Sequence, residues 1–143
     1  MNTLVSSPHR TVRVSQVILA LSGLIAAAIA VTILFAPGAF YTGYGLEVAG
    51  NPTLSNELKA PAAGLLLASF VMMAGLFRQD LIKLSLATAA GVYLAYGVGR
   101  VLSIALDGLP HSGMVSAAII ELAVGSVCLA ALAVFRRGAR HES

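Results

Sequence analysis

The sequence predicts an all-α integral membrane protein, a single four-helix bundle over residues 1–143 with both termini in the cytoplasm. Three observations lead there. The 143 residues are 58% hydrophobic and only 10% charged, where soluble domains carry about 25% charged residues. The apolar residues gather into four stretches long enough to cross a bilayer. The basic residues cluster at the two ends of the chain and beside one connection. With a mean hydropathy of +0.89, a soluble fold of this size has no way to hide its apolar surface, so lipid is the expected solvent.

The first span is expected over about 14–35, with Gln16 its only strongly polar side chain. At 1.5 Å per residue it covers about 33 Å, enough for the hydrocarbon core. A cleaved signal peptide has an apolar region of only about 7–15 residues, so a retained span is the better reading. The second span is expected over about 52–77. Asn51 can cap it, Pro52 suits its first helical position, and Pro61 should kink it or loosen its first turns. The third covers about 81–107, with Gly108 as its C-cap, and the fourth about 113–135. Residues 1–11 and 138–143 read as flexible tails.

The connections set the topology. The first, residues 36–51, is long and holds Phe40, Tyr41 and Tyr44, which read as interfacial belt residues or a lid. The second, Arg78-Gln79-Asp80, is very short, with Lys83 close behind. The third, residues 108–112, is also short. Arg10 and Arg13, Arg78 and Lys83, and Arg136, Arg137 and Arg140 all fall on one side. The positive-inside rule places that side in the cytoplasm of a cell inner membrane. Short connections make spans two and three, and three and four, antiparallel neighbours. Gly23, Ala27, Gly64, Ala68 and Gly125 offer close helix contact.

Charge inside the spans is the informative exception. With Arg100 taken as zero and 100° per residue, Tyr93 lies at about +20°, Tyr96 at about −40°, Ser103 at about −60° and Asp107 at about −20°. This polar stripe should face the bundle interior, because a lipid-facing stripe is costly. Tyr93 lies about 21 Å from Asp107 along the helix, near the midplane and too deep for a belt residue.

Depth selects a partner for Arg100. It lies about 10 Å below the far end of span three, and Glu121 lies about 12 Å below the matching end of span four. The spacing predicts an Arg100–Glu121 ion pair. Asp107 is two turns too high to join it, but can pair through water or His111. Glu57, just below the same surface on span two, supplies a further carboxylate if it faces inward, and Lys59 then faces outward. One fixed positive charge would meet an excess of carboxylates, so either one of these holds a proton or a cationic group completes the site. The candidate ligand-binding residues are therefore Arg100, Glu121, Glu57, Tyr93, Tyr96, Ser103 and Asp107. An Arg–Glu pair that only fixes helix register accounts for the same residues without a ligand.

Several chemistries lack their residues. His9, His111 and His141 lie outside the spans or at their edges, which argues against haem held between helices. No Glu-x-x-His pair suits a di-iron centre. Cys128 is the only cysteine and sits in an apolar run, so it reads as a small buried hydrophobe and leaves no intrachain disulfide or redox pair. No Walker A loop, GxSxG elbow or HExxH motif is present. Asp107-Gly108-Leu109-Pro110 reads as a helix stop and turn. The net charge of +3 belongs to the termini rather than to a basic helix, so nucleic acid is not an expected partner, and no cofactor or metal is expected.

Phe40-Tyr41-x-x-Tyr44-Gly45, Asn56-Glu57-Leu58-Lys59-Ala60-Pro61, Tyr96-Gly97-x-Gly99-Arg100-x-x-Ser103 running to Asp107-Gly108-x-Pro110, and Glu121-Leu122 with Gly125 occur together. In this the chain resembles a bacterial membrane family catalogued as domain of unknown function 4345, over nearly its whole length. The resemblance implies a four-helix inner-membrane protein and supplies no activity. A more distant likeness to DoxX-like four-helix proteins rests on no quotable motif.

Three functional readings follow, and none names a reaction. The first is a buried polar site near the outer side that binds, or processes, a small lipophilic molecule. The second is a structural or accessory subunit of a membrane complex. The third is a proton-coupled carrier, for which four spans require a homo-oligomer.

Overall fold

The computed structural model describes residues 8–140. Every regular element among them is helical: α1 (Pro8–Phe35), α2 (Pro37–Thr42), α3 (Pro52–Phe77), α4 (Ile82–Asp107) and α5 (Ser112–Arg140), with a 3₁₀ turn at Gln79–Leu81 before α4. Four of these, α1, α3, α4 and α5, are long and apolar enough to cross a membrane. They run up and down. One end of the bundle carries the start of α1, the end of α5 and the 78–81 connection, and is called here the terminal end. The other, the loop end, carries the 36–51 and 108–111 connections.

Local chemistry explains the boundaries. Asn51 Oδ1 accepts the Leu54 N–H at 3.0 Å and Pro52 occupies the first turn, so α3 starts where its cap is. Pro61 lies inside α3, which continues through it to Phe77. Gly108 adopts φ +97° and its N–H donates to the Ile104 carbonyl. A side chain at this φ is strained, so α4 stops on its glycine. In the 78–80 connection, Arg78 donates twice to Asp80, at 2.8 and 3.2 Å.

Three expectations are corrected. α1 begins at Pro8 and α5 runs to Arg140, so residues 8–11 and 138–140 are helical rather than tail. Apolarity marks the part of a helix that lipid can cover, and the hydrogen-bonded backbone runs past it. Residues 1–7 and 141–143, His141 included, lie outside the described residues. The first connection contains the unanticipated helix α2, opened by Pro37. Gly64 is exposed, with nothing near enough to exploit its missing side chain.

The helices form a ring in the order α1, α3, α4, α5. Packing is closest between α4 and α5 and between α1 and α3, lighter between α3 and α4, and lightest where α5 closes on α1, while α3 and α5 sit across the bundle from each other. Glycines permit the two tight contacts. A Cβ on Gly23 of α1 would stand 2.8 Å from Met73 Cγ of α3. Between α4 and α5 the fit is reciprocal: Leu122 lies over Gly97 and Leu94 lies over Gly125, each leucine Cγ 2.7 Å from where a Cβ would be.

The core lies in the half nearer the terminal end. Leu19, Met72, Ile82, Leu86, Ala89 and Cys128 are all fully buried there. Cross-helix hydrogen bonds stitch this half. Gln16 Nε2 donates to the Leu76 carbonyl at 3.1 Å. The Ser85 hydroxyl of α4 accepts the Gly75 N–H at 3.0 Å and donates to the Val71 carbonyl at 2.7 Å, so it bonds the α3 backbone twice within one turn. The Tyr93 hydroxyl donates to the Ser22 carbonyl of α1 at 2.8 Å.

Candidate functional site

The reciprocal glycine contact brings α4 and α5 close together, and two side chains beside it meet. Arg100 lies three residues beyond Gly97, and Glu121 adjoins Leu122. Arg100 Nε donates to Glu121 Oε2 at 2.8 Å, so the ion pair expected from matching depths is present. The guanidinium also donates through Nη1 to the Met114 sulfur at 3.2 Å, a weak acceptor. The contact with Glu121 is single rather than bidentate. It leaves Nη2 of Arg100 and Oε1 of Glu121 without a partner among the described residues. Neither side chain is sealed in, with 33% of Arg100 and 16% of Glu121 accessible.

The face of α4 that carries Arg100 changes character along its length. Eighteen residues make about five full turns, so residues that far apart point the same way. At the terminal end this face is core: Ile82, Ser85 and Ala89 are each 0% exposed. Eighteen residues on come Arg100, Ser103 and Asp107, of which the first is half-buried and the other two exposed. Ser85 bonds the backbone of α3, whereas Ser103 has only Asp107, whose Oδ2 accepts its hydroxyl at 2.9 Å. The flank of α4 that α3 covers at one end is therefore uncovered at the other, and the bundle opens toward its loops. Tyr96 lies on the same flank, 38% exposed and within electrostatic reach of both Glu121 and Arg100.

The helix α2 and the loop after it fold over this opening. Phe40, Tyr41 and Tyr44 cluster with ring centroids 5.0 to 6.4 Å apart. Tyr44 packs on Gly113, where a Cβ would be 2.7 Å from its ring, and meets the His111 ring edge-on at 6.2 Å. His111 Nδ1 accepts the Gly113 N–H at 3.2 Å. Burial pushes the Tyr41 phenol above its ordinary range, while the Arg100 charge pulls the other way. Of the two roles expected for these aromatics, lid describes Tyr44, and Tyr41 joins the electrostatic neighbourhood of Arg100.

The seven candidates do not converge. Arg100, Glu121 and Tyr96 share one neighbourhood. Ser103 and Asp107 pair with each other higher on α4, and Asp107 makes no contact with His111. Tyr93, on nearly the same face, is spent on the Ser22 carbonyl; its role is to tie α4 to α1. Glu57 is exposed and Lys59 is the better covered of the two, so the condition for Glu57 to join the site, that it face inward, is not met. Among the described residues no three His, Cys, Asp or Glu side chains come together. The expected excess of carboxylates around Arg100 is thus absent, and Glu121 balances it one to one.

Sequence reasoning did not find Tyr41, Met114 or the supporting Gly97. The first two needed knowledge of which loop and which turn lie above Arg100. Gly97 carried a detectable signal, standing three residues before the only arginine within a span.

The comparisons fit this picture of four apolar helices, which mark a multi-pass membrane protein. No curated protein and no solved structure matches the chain. A family model does match, over residues 14–132, and lends no support to a DoxX likeness. The chain belongs to the family described as domain of unknown function (DUF4345).

Proposed function

We propose that this is an inner-membrane protein of bacterial type with its loop end outward and its termini in the cytoplasm, and that the uncovered loop-end flank of α4 binds an amphiphilic small molecule. The observation that carries this reading is the switch from Ile82, Ser85 and Ala89, fully buried, to Arg100, Ser103 and Asp107 on the same face. A polar stripe left open at membrane depth needs water, lipid headgroups or a ligand to solvate it. The unused Nη2 of Arg100 suits a carboxylate, phosphate or carbonyl oxygen. Tyr96 and the α2 aromatics offer apolar walls with polar tips. The site is a binding site in this reading, and no reaction is assigned to it.

The test is purification in mild detergent, with native mass spectrometry to identify any small molecule retained. Arg100→Leu and Glu121→Gln are expected to lose it. If both variants retain the same molecule as the natural chain, the site is elsewhere.

One observation favours a second reading, a structural or accessory subunit. Arg100 and Glu121 bridge the most closely packed helix pair, α4 and α5. Exchanging the charges, Arg100→Glu with Glu121→Arg, preserves both folding and phenotype under this reading. Loss of phenotype with folding intact speaks for the binding site.

A further inference from the structure

A second feature lies at the other end of the bundle, along the lightly packed seam where α5 closes on α1. There a groove of about 360 Å³ runs between Val14 and Ile18 on one side and Val127, Ala130 and Val134 on the other, with Arg10 at its terminal mouth. Its walls are almost wholly aliphatic. On α5, Val127 and Ala130 lie within about 40° of Val134, and Arg137 lies about 60° from it, one turn further on. Arg10 is likewise about 40° from Val14. Both arginines are exposed and neither makes an ion pair among the described residues. From Val127 to Arg137 is about 15 Å of helix, half of a hydrocarbon core of about 30 Å.

We propose that this groove is a binding site for an anionic phospholipid of the leaflet facing the termini, with one acyl chain along Val127, Ala130 and Val134 and the phosphate between Arg10 and Arg137. Charge complementarity selects this occupant. An apolar trough one leaflet deep, ending on two exposed arginines at headgroup level, matches a lipid with a negative headgroup. A zwitterionic lipid offers the same phosphate but adds an ammonium group that two arginines repel, so the anionic lipid is favoured. The proposal rests on the membrane insertion proposed above and is independent of the loop-end opening.

The experiment uses the full chain in mild detergent, titrated with phosphatidylglycerol or phosphatidylcholine carrying identical acyl chains, with bound lipid counted by native mass spectrometry. Near an anionic surface each arginine contributes roughly fivefold, so a preference for phosphatidylglycerol of roughly twenty-five-fold is expected. Arg10→Ala with Arg137→Ala, both surface changes, is expected to bring the two lipids to near parity. Ala130→Phe fills the groove and is expected to weaken binding of both lipids with both arginines in place. Three results overturn the proposal: equal binding of the two lipids to the natural chain, a preference that survives loss of both arginines, or lipid binding unchanged by Ala130→Phe. A dimer that Ala130→Phe converts to monomer also overturns it, since a second copy would then occupy the groove.

Discussion

Leu122 fills the space that a Cβ on Gly97 would need; the two atoms would stand 2.7 Å apart, with the Leu122 backbone nitrogen only 3.1 Å away. Because backbone as well as side chain blocks the way, α4 and α5 must separate to admit even a methyl group. Arg100 and Glu121 sit beside this contact, so their 2.8 Å bond depends on it.

Gly97→Ala is therefore expected to cost about 1–3 kcal/mol through overpacking, and to lower the melting temperature in detergent followed by circular dichroism. Gly99→Ala is the control. It meets nothing within 4 Å, and alanine favours the helix by about 1 kcal/mol. If the two variants melt alike, close approach is not what holds this helix pair.

A double-mutant cycle on Arg100→Leu and Glu121→Leu measures the ion pair. Contacting charges couple by about 0.5–3 kcal/mol. With 33% of Arg100 accessible, solvent screening moves the expectation to the lower half of that range. The double variant is expected to fold nearly as well as the natural chain, since replacing both partners strands no charge. A double variant that fails to fold would make the pair indispensable to the bundle.

Tyr93→Phe removes the hydroxyl that reaches the Ser22 carbonyl at 2.8 Å. Hydrogen bonds between membrane helices average about 0.6 kcal/mol, and a loss of that size is expected in a denaturant titration. The variant is expected to retain any ligand bound at Arg100, because this hydroxyl faces α1.

Tyr41 gives a pH signature. Burial raises its phenol above the ordinary value of 10.0, with Arg100 opposing. A raised folded-state value leaves stability intact below the unfolded value and removes it as pH rises beyond, because the unfolded chain releases its proton first. In the natural chain, Tyr41 is expected to contribute to the late part of the phenolate absorbance, and Tyr41→Phe to remove that contribution while leaving the early part unchanged. Loss of an early-titrating phenol on Tyr41→Phe, with the late part unchanged, would place Tyr41 in open solvent.

Orientation can be read with single cysteines, because Cys128 is buried and replaceable. In a Cys128→Ala background, Ser112→Cys is expected to react with an impermeant maleimide on intact cells, and Lys83→Cys only after permeabilisation. The opposite pattern inverts the proposed topology.

The spans, the Asn51 cap, the Gly108 stop and the Arg100–Glu121 pair were all legible, because each follows from local chemistry or from rise per residue along antiparallel neighbours. The exposure of Ser103 and Asp107, expected to face the interior, was not legible, for one reason. Helical angle shows which way a residue points, but not whether a neighbour remains there at that height. Tyr93 reaches the backbone of α1, whereas Ser103, eighteen residues beyond the buried Ser85, is exposed and bonds only Asp107. The helix α2 was missed because a six-residue element within a Gly-rich connection leaves little periodic trace.

The placement of Ser85 has a mechanical consequence. By bonding both the Val71 carbonyl and the Gly75 N–H, its hydroxyl ties α4 to the backbone of α3, and Gln16 and Tyr93 tie α1 into the same half. Nearer the loops, one ion pair bridges the helices. Stiffness is thus graded along the membrane normal, and amide exchange in α4 should quicken from Ile82 toward Asp107. A molecule wedging between α3 and α4 near the loops would bend compliant helix ends instead of prising apart a core, and the locked half would act as its spring.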